Sequence, residues 1–370
     1  MKVLHINNNY IYTHLHQQLA EELQKNGVEN LVFSPVVKGA KAVVEVNENV
    51  MVRECFGKWD KISFYYKQEK ILSALKECIK GETFDLIHAY TLFTDGNAAN
   101  RLSKETGIPY VVAIRNTDVN AFFRLRPYLR TRAIRILRGA SRIFFLSESY
   151  KKRVLEDYIP KKYHRELLSK IDVIPNGIGS LWHEENVIKK EKTEDPIRVV
   201  CAGLLDHNKN YLTTAKACEI LKNKGKNIEF HAVGRVGDEK VLEKLKAYDF
   251  VTYHKPTDAR GLMELYKDKA LFVMPSFQES FGLVYAEAMS QGLPVIYTRG
   301  EGFDGQFPEG EVGFAVDPGN PEEISEKIEE ILSNYEILSE NCIQNSKKFN
   351  WESISSKYAS IYQKILKIER

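Results

Sequence analysis

The sequence predicts an α/β protein made of two consecutive doubly wound domains, each built on its own parallel sheet. Three observations predict it. Short β-branched runs alternate with amphipathic stretches of helical spacing. The alternation breaks once, at a polar and charged stretch, and then begins again. The chain of 370 residues is also longer than a single core comfortably fills.

In the first half, "KVLHI" (2–6) reads as a strand and "LHQQLAEELQKNG" (15–27) as a helix stopped by Gly27. "NLVFSPV" (30–36) and "FDLIHAY" (84–90) are the next strands. A helical "GNAANRLSKETG" (96–107) leads through Gly107 and Pro109 into the strand "PYVVAI" (109–114). "RIFFLS" (142–147) and "SKIDVIP" (169–175) close the series. The stretch "NGIGSLWHEENVIKKEKTEDP" (176–196) has little periodicity and reads as an interdomain linker, with its hinge near Gly177 and Gly179. After it, "IRVVCAG", "IEFHAVG", "FVTYH", "ALFVMPS" and "LPVIYT" are strands of a second sheet. Helices fall between them at 210–225, 238–249, 259–270 and 280–292, and "NWESISSKYASIYQKILKIER" is a last amphipathic helix. The expected domains are 1–178 and 195–349, with residues 350–370 crossing back to the first. In such folds ligands lie beyond the carboxyl ends of the strands, here expected in the cleft between domains.

The composition, 43% hydrophobic and 28% charged, is that of a soluble globular protein. No run of about 18 apolar residues is present to span a bilayer, and the N-terminus lacks the apolar core of a signal peptide. Five scattered cysteines without a CxxC pair suggest a reduced, cytoplasmic protein. Residues 1–178 carry 28 Lys and Arg against 19 Asp and Glu, whereas the rest carry 25 against 31. Two halves of opposite charge suggest different partners. Much of the basic excess lies in "RLRPYLRTRAIRILRGASR" (Arg124 to Arg142), either a solvated helix face or a basic amphipathic helix set against anionic lipid or a diphosphate-bearing acceptor. No nucleic-acid motif accompanies it, and nucleic acid is not an expected partner.

The stretch "PSFQESFGLVYAEAMSQGLPV" (275–295) carries the chemistry. A strand ends at Pro275 and a helix is predicted from about Ser280 or Phe281 to Gly292. Glu279 then sits in a loop at the carboxyl end of a strand, and Glu287 roughly 10 Å further along the helix. The amides of Ser280, Phe281, Gly282 and Leu283 face outward at the helix N-terminus, a natural seat for a phosphate. Two carboxylates beside it suit sugar hydroxyls, since each accepts two hydrogen bonds from a diol. Taken alone, the pattern equally describes one N-cap acid and one solvated acid.

The stretch resembles the donor motif of family 4 of the glycosyltransferases, E-x7-E followed by A-M-x-x-G-x-P-V, in enzymes of the two-Rossmann GT-B fold. "IDVIPNGI", "EVGFAVDPGNPEEISEKIEEIL" and "FNWESISSKYASIY" extend the resemblance over nearly the whole chain. It implies a sugar transfer with retention, without metal or cofactor, from a UDP- or GDP-linked donor. In it Glu287 holds ribose, Glu279 the transferred sugar, and Lys209 the diphosphate, with Gly203, Gly234 and Gly237 lining the nucleotide. No DxD motif is present for a metal. The sequence departs from the family in three places. Leu204 stands where an arginine is usual, and Arg235 in "VGRVGD" is the expected substitute cation. The loop "NNNYIYTH" (7–14) lacks the usual glycines. "DLIHAYTLFTDG" keeps His88 but has Tyr90, and "AIRNTDVN" has Arg115 for a histidine, with Asp118 in register. Arg115 and Asp118 are accordingly expected to orient the reacting sugar, and His88, Tyr90, Asp95 and Asn116 to line the acceptor. That acceptor would be a glycan or lipid-linked sugar of cell-surface polysaccharide assembly, at the inner face of a membrane. A GT-B sugar-nucleotide isomerase and a silent sugar-nucleotide- or glycan-binding subunit remain as alternatives, and the sequence does not name the sugar.

Overall fold

The structure, a computed structural model, describes residues 1–57, 59–61, 63–184 and 195–368. Most of the charged part of the expected linker, residues 185–194, lies outside the described residues. The chain forms two compact units, one of residues 1–146, 150–177 and 351 onward, the other of 147–149 and 178–350.

The first unit runs β1 (Lys2–Ile6), α1 (His14–Lys25), β2 (Glu29–Val37), β3 (Val50–Phe56), α2 (Phe64–Cys78), β4 (Leu86–Ala89) and α3 (Asp95–Thr106). It continues with β5 (Tyr110–Ala113), α4 (Arg130–Gly139), β6 (Arg142–Phe145), α5 (Glu148–Tyr158), α6 (His164–Leu168) and β7 (Ile171–Val173). Its seven strands, all parallel, lie in the order β3-β2-β1-β4-β5-β6-β7. The second unit comprises α7 (Leu181–Glu184), β8 (Ile197–Ala202), α8 (Tyr211–Asn223), β9 (Ile228–Val233), α9 (Glu239–Lys246) and β10 (Val251–His254). There follow α10 (Ala259–Tyr266), β11 (Leu271–Val273), α11 (Leu283–Ser290), β12 (Val295–Thr298), β13 (Gly313–Val316), α12 (Pro321–Ser333) and α13 (Tyr335–Ser346). Its six parallel strands lie in the order β10-β9-β8-β11-β12-β13. Both sheets reverse their winding beside their first strand, at β1/β4 and at β8/β11, so each unit has a switch point where its loops diverge.

Two strands exceed the sequence expectation. β3 ("VMVRECF") is an edge strand with Arg53 and Glu54 exposed, and β13 ("GFAV") is only four residues long. The last helix, α14 (Trp351–Ile368), belongs to the first unit. Trp351, Ile354, Tyr358, Tyr362 and Ile365 recur at helical spacing and bury against Leu19, Leu23, Tyr90 and Phe144. Each such burial is worth about 1.5–3 kcal/mol, so this helix completes the core on that face. The Trp351 indole also donates to Gln18 Oε1 at 3.0 Å.

The stretch Arg124–Arg142 does not form the single basic helix the sequence suggested. Phe123 ends one short helical segment and Pro127 starts another, so only Arg130–Gly139 is α-helical. Several of its arginines are spent internally. Arg130 donates to Phe123 O at 3.0 Å and lies over the Tyr158 ring, and Arg138 pairs with Glu166 at 2.8 Å. Among the described residues no helix is long and apolar enough to cross a membrane.

Candidate active site

At the switch point of the second unit, the loop after β8 is built by side chains that cap and staple it. Asp206 Oδ1 accepts from the Lys209 amide at 2.9 Å, closing a tight turn. Asn208 exchanges two 3.0 Å bonds with the Gln278 backbone, and Asn210, in the left-handed region at φ +59°, donates to Pro275 O at 2.9 Å. These bonds tie the loop of residues 203–210 to the loop that follows β11. They bring together two residues 70 positions apart: Lys209 Nζ lies 2.5 Å from Glu279 Oε2. Glu279 is 8% exposed, and its other oxygen accepts from the Ser280 amide at 3.0 Å. A buried carboxylate needs such a cation and such amides to remain charged.

The helix N-terminus differs from the expectation. α11 begins at Leu283, and Gly282 caps it in the left-handed conformation at φ +78°. A side chain there would run into the Tyr285 ring, 2.3 Å from the position of a Cβ. The Ser280 amide is taken by the Glu279 carboxylate, so Ser280 does not offer its N–H to a ligand. The Phe281 side chain is buried edge-on against Phe349. Sequence reasoning missed Glu301 and Gly302, whose carboxylate and amide bond the Glu279 backbone at 2.9 and 3.1 Å. The only sign of them was the glycine-rich "GEGFDG" after the fifth strand of this sheet.

Glu287 lies on α11, half-buried, and desolvation pushes its carboxyl up to about 7. Gly203 and Gly234 meet at the ends of β8 and β9, where a Cβ on Gly234 (φ +138°) would lie 1.8 Å from Gly203 O. Beside them opens a cavity of about 350 Å3, lined by Leu204, Arg235, Thr257, Leu262 and Val284 among others. Arg235 is exposed at this cavity, and Leu204 packs on Gly237.

In the first unit the expected site residues divide. Arg115 is half-buried and braced: Nε donates to Tyr90 O at 3.3 Å and Nη1 to Asn176 Oδ1 at 3.1 Å. Asn116 is half-buried beside it and accepts from Asn120. Asp118 requires correction. It is 1% exposed, and both its oxygens turn inward onto the amides of Leu92, Phe93 and Arg115 at 2.9–3.2 Å. It positions two loops instead of meeting a sugar, and burial holds its carboxyl up at about 6 against the pull of those amides.

His88, Tyr90 and Asp95 are likewise withdrawn from any acceptor surface. His88 stacks on Tyr90 at 4.2 Å, and its Nδ1 meets the Tyr362 hydroxyl of α14 at 2.7 Å. The Tyr90 hydroxyl meets His5 Nδ1 at 3.1 Å. Asp95 accepts from the Asn8 amide at 3.3 Å and from Thr91 Oγ1 at 3.0 Å, and burial pushes it up to about 8. All three are packed residues, because His88 in β4, Tyr90 just after it and Asp95 at the start of α3 are turned into the core.

The sequence model described as "Glycosyl transferases group 1" matches residues 183–349, and that of "Glycosyltransferase Family 4" matches residues 15–179. The chain belongs to the group 1, family 4 glycosyltransferases. This glycosyltransferase is 24% identical over 365 residues to a D-inositol 3-phosphate glycosyltransferase of Paenarthrobacter aurescens, covering 90% of this chain and 88% of the relative. It is 25% identical to an uncharacterized glycosyltransferase of Methanocaldococcus jannaschii over 78% of each chain. Sucrose-phosphate synthase of Thermosynechococcus elongatus superposes with a TM-score of 0.76 at 18% identity over the full length of both chains. A lipopolysaccharide outer core galactosyltransferase superposes at 0.77 with 15% identity, over 98% of this chain and 99% of the other. Anabaena HepE, determined with UDP and glucose, superposes at 0.68 with 18% identity, over 98% and 100%. The two units of the glycosyltransferase are thus the two Rossmann-like domains of the GT-B fold.

Proposed function

We propose that this glycosyltransferase transfers a hexosyl group, with retention and without a metal, from a UDP- or GDP-linked sugar to a glycan or lipid-linked acceptor of cell-surface polysaccharide. The Lys209–Glu279 pair at the switch point of the second unit carries the reading. Lys209 supplies the cation for the departing diphosphate, the role a metal fills in enzymes with a DxD motif. Glu279 orients the sugar, and Glu287, three residues along α11 from the Val284 that lines the apolar cavity, accepts the ribose hydroxyls. Leu204 and Val284 form the wall on which the base lies, and Arg235 adds the second positive charge. Arg115, held by Tyr90 and Asn176, and Asn116 contact the acceptor sugar. In front-face displacement the leaving diphosphate takes the acceptor proton, so these side chains bind and orient without needing a strong base. Exposed Leu125 and Tyr128 beside Arg124 support contact with a membrane surface, where a lipid-linked acceptor resides.

The test is nucleotide release from a panel of UDP- and GDP-sugars, with and without lipid-linked acceptors, and NMR of the product's anomeric proton. The expected result is acceptor-dependent release from one donor with the anomeric configuration kept. Release without acceptor indicates an isomerase or hydrolase, and binding without release indicates a silent subunit. Inversion removes the mechanism. Loss of activity on chelation, restored by a divalent ion, removes the metal-independent part.

A further inference from the structure

A second cavity, of about 240 Å3, lies within the first unit on the outer side of α2, α3 and α4. Its lining has an imbalance of donors and acceptors. Gln68 and Asn97 line it and are each 2% exposed, a depth at which polar side chains are normally fully hydrogen-bonded. Asn97 Nδ2 donates to Gln68 Oε1 at 2.8 Å, and Asn97 Oδ1 accepts from Arg132 Nη1 at 2.6 Å. Both amide oxygens are thereby used, while Gln68 Nε2 has no partner. Arg101 is matched by a two-point pair with Glu69. Among the described residues, Lys104, Arg132 and Arg135 have no carboxylate within ion-pair distance. Three positive charges without an ion pair, from two helices, and one orphan amide donor from a third therefore converge on one concavity, with Glu69, paired to Arg101, as its one lining carboxylate. Arg132 lies over the Tyr65 ring at 4.9 Å, which fixes the plane of its guanidinium. A ligand that satisfies this set must bring several acceptor oxygens and negative charge, and the cavity has room for several waters' worth of atoms.

We propose that this cavity binds a phosphate or diphosphate group, either free in solution or as the headgroup of an anionic lipid. The site is separate from the donor-binding residues and does not rest on the transfer reaction assigned to them.

The test is calorimetric titration of the full chain with inorganic pyrophosphate, and co-sedimentation with phosphatidylcholine vesicles with and without phosphatidic acid. Three variants accompany the wild type: Arg132→Gln, the paired Lys104→Gln and Arg135→Gln, and Lys209→Gln in the other unit. Circular dichroism checks folding, and the paired variant changes only side chains at the cavity mouth. Each cavity variant is expected to weaken binding about tenfold or more, the loss typical of a charge-assisted hydrogen bond. Lys209→Gln should remove any pyrophosphate bound at the donor site and leave intact the binding that the cavity variants remove. Pyrophosphate binding lost in the cavity variants identifies a soluble phosphate ligand. Sedimentation with phosphatidic acid alone, lost in the same variants, identifies a lipid headgroup. Absence of both, equal binding by the folded cavity variants, or weakening only in Lys209→Gln overturns the proposal.

Discussion

Replacing Glu287 by glutamine removes the only acid of α11 and tests both its burial and its role. Desolvation raises its carboxyl from an ordinary 4.5 to about 7, so the folded state holds this proton more tightly than the unfolded chain does. The stabilising effect is fully present below about pH 4.5 and is lost as pH rises through about 7. At 1.36 kcal/mol for each tenfold change in proton affinity, the loss across that window is about 3 kcal/mol. Glutamine does not titrate, so E287Q should escape this loss. Urea unfolding of wild type and variant near pH 5 and near pH 8 isolates the effect, because the other titrating groups cancel in the difference. The gap between variant and wild type should shift in the variant's favour by about 3 kcal/mol on going to the higher pH. Nucleotide binding should move the opposite way, since an amide offers one acceptor oxygen to a diol where a carboxylate offers two. The variant is then more stable at neutral pH and poorer at holding donor, as a functional carboxylate in an apolar setting requires. Parallel pH profiles for the two proteins would refute the reasoning, as would a carboxyl carbon of Glu287 titrating by NMR near 4.5.

Lys209→Met should lower kcat by roughly 10²–10³-fold, with Lys209→Arg partly restoring it, as measured by steady-state kinetics. The same change leaves Glu279 buried without its cation, and should cost up to about 3 kcal/mol in a urea melt of the second unit. Gly234→Ala forces a Cβ onto Gly203 O at φ +138°, and should destabilise that unit by roughly 3 kcal/mol or more, read from the urea midpoint. Burial holds His5 down at about 4 and His16 at about 3, with His88 shifted the same way. Their contribution is present above about pH 6.5 and is lost as pH falls toward 4, while the raised carboxyls of Asp95 and Asp118 in the same unit act in the opposite sense. Imidazole proton shifts that titrate near 6.5 in the folded protein would contradict this.

The two-unit architecture was legible because most strands are buried on both faces and so read as continuous apolar runs, "YVVA" and "RIFF" among them. β3 was not, because an edge strand carries Arg53 and Glu54 on its open side and breaks the run. β13 was not, because four residues between glycine-rich turns make too short a signal. In the site, Glu279 and Glu287 were visible through their spacing around one strand end and one helix. The pairing of Glu279 with Lys209 depends on Asn208 and Asn210 stapling two loops, which no local pattern records. That His88 could be a packed strand-end residue was legible, but what packs on it was not, for a similar reason. The residue that covers it, Tyr362, lies 274 positions away, and nothing in "FDLIHAY" tells which face of a strand a helix from the far end of the chain will occupy. Asp118 matched a familiar position, but its orientation is set by three amides from two loops.

The chain leaves the first unit at Gly177 and rejoins it only at Trp351. During synthesis on a ribosome the second unit can therefore mature as soon as its own stretch has emerged. The earlier-made unit waits with Leu19, Leu23 and Tyr90 uncovered until the last helix is released. Chains truncated before Trp351 should accordingly protect the second unit from protease while leaving the first open to cleavage.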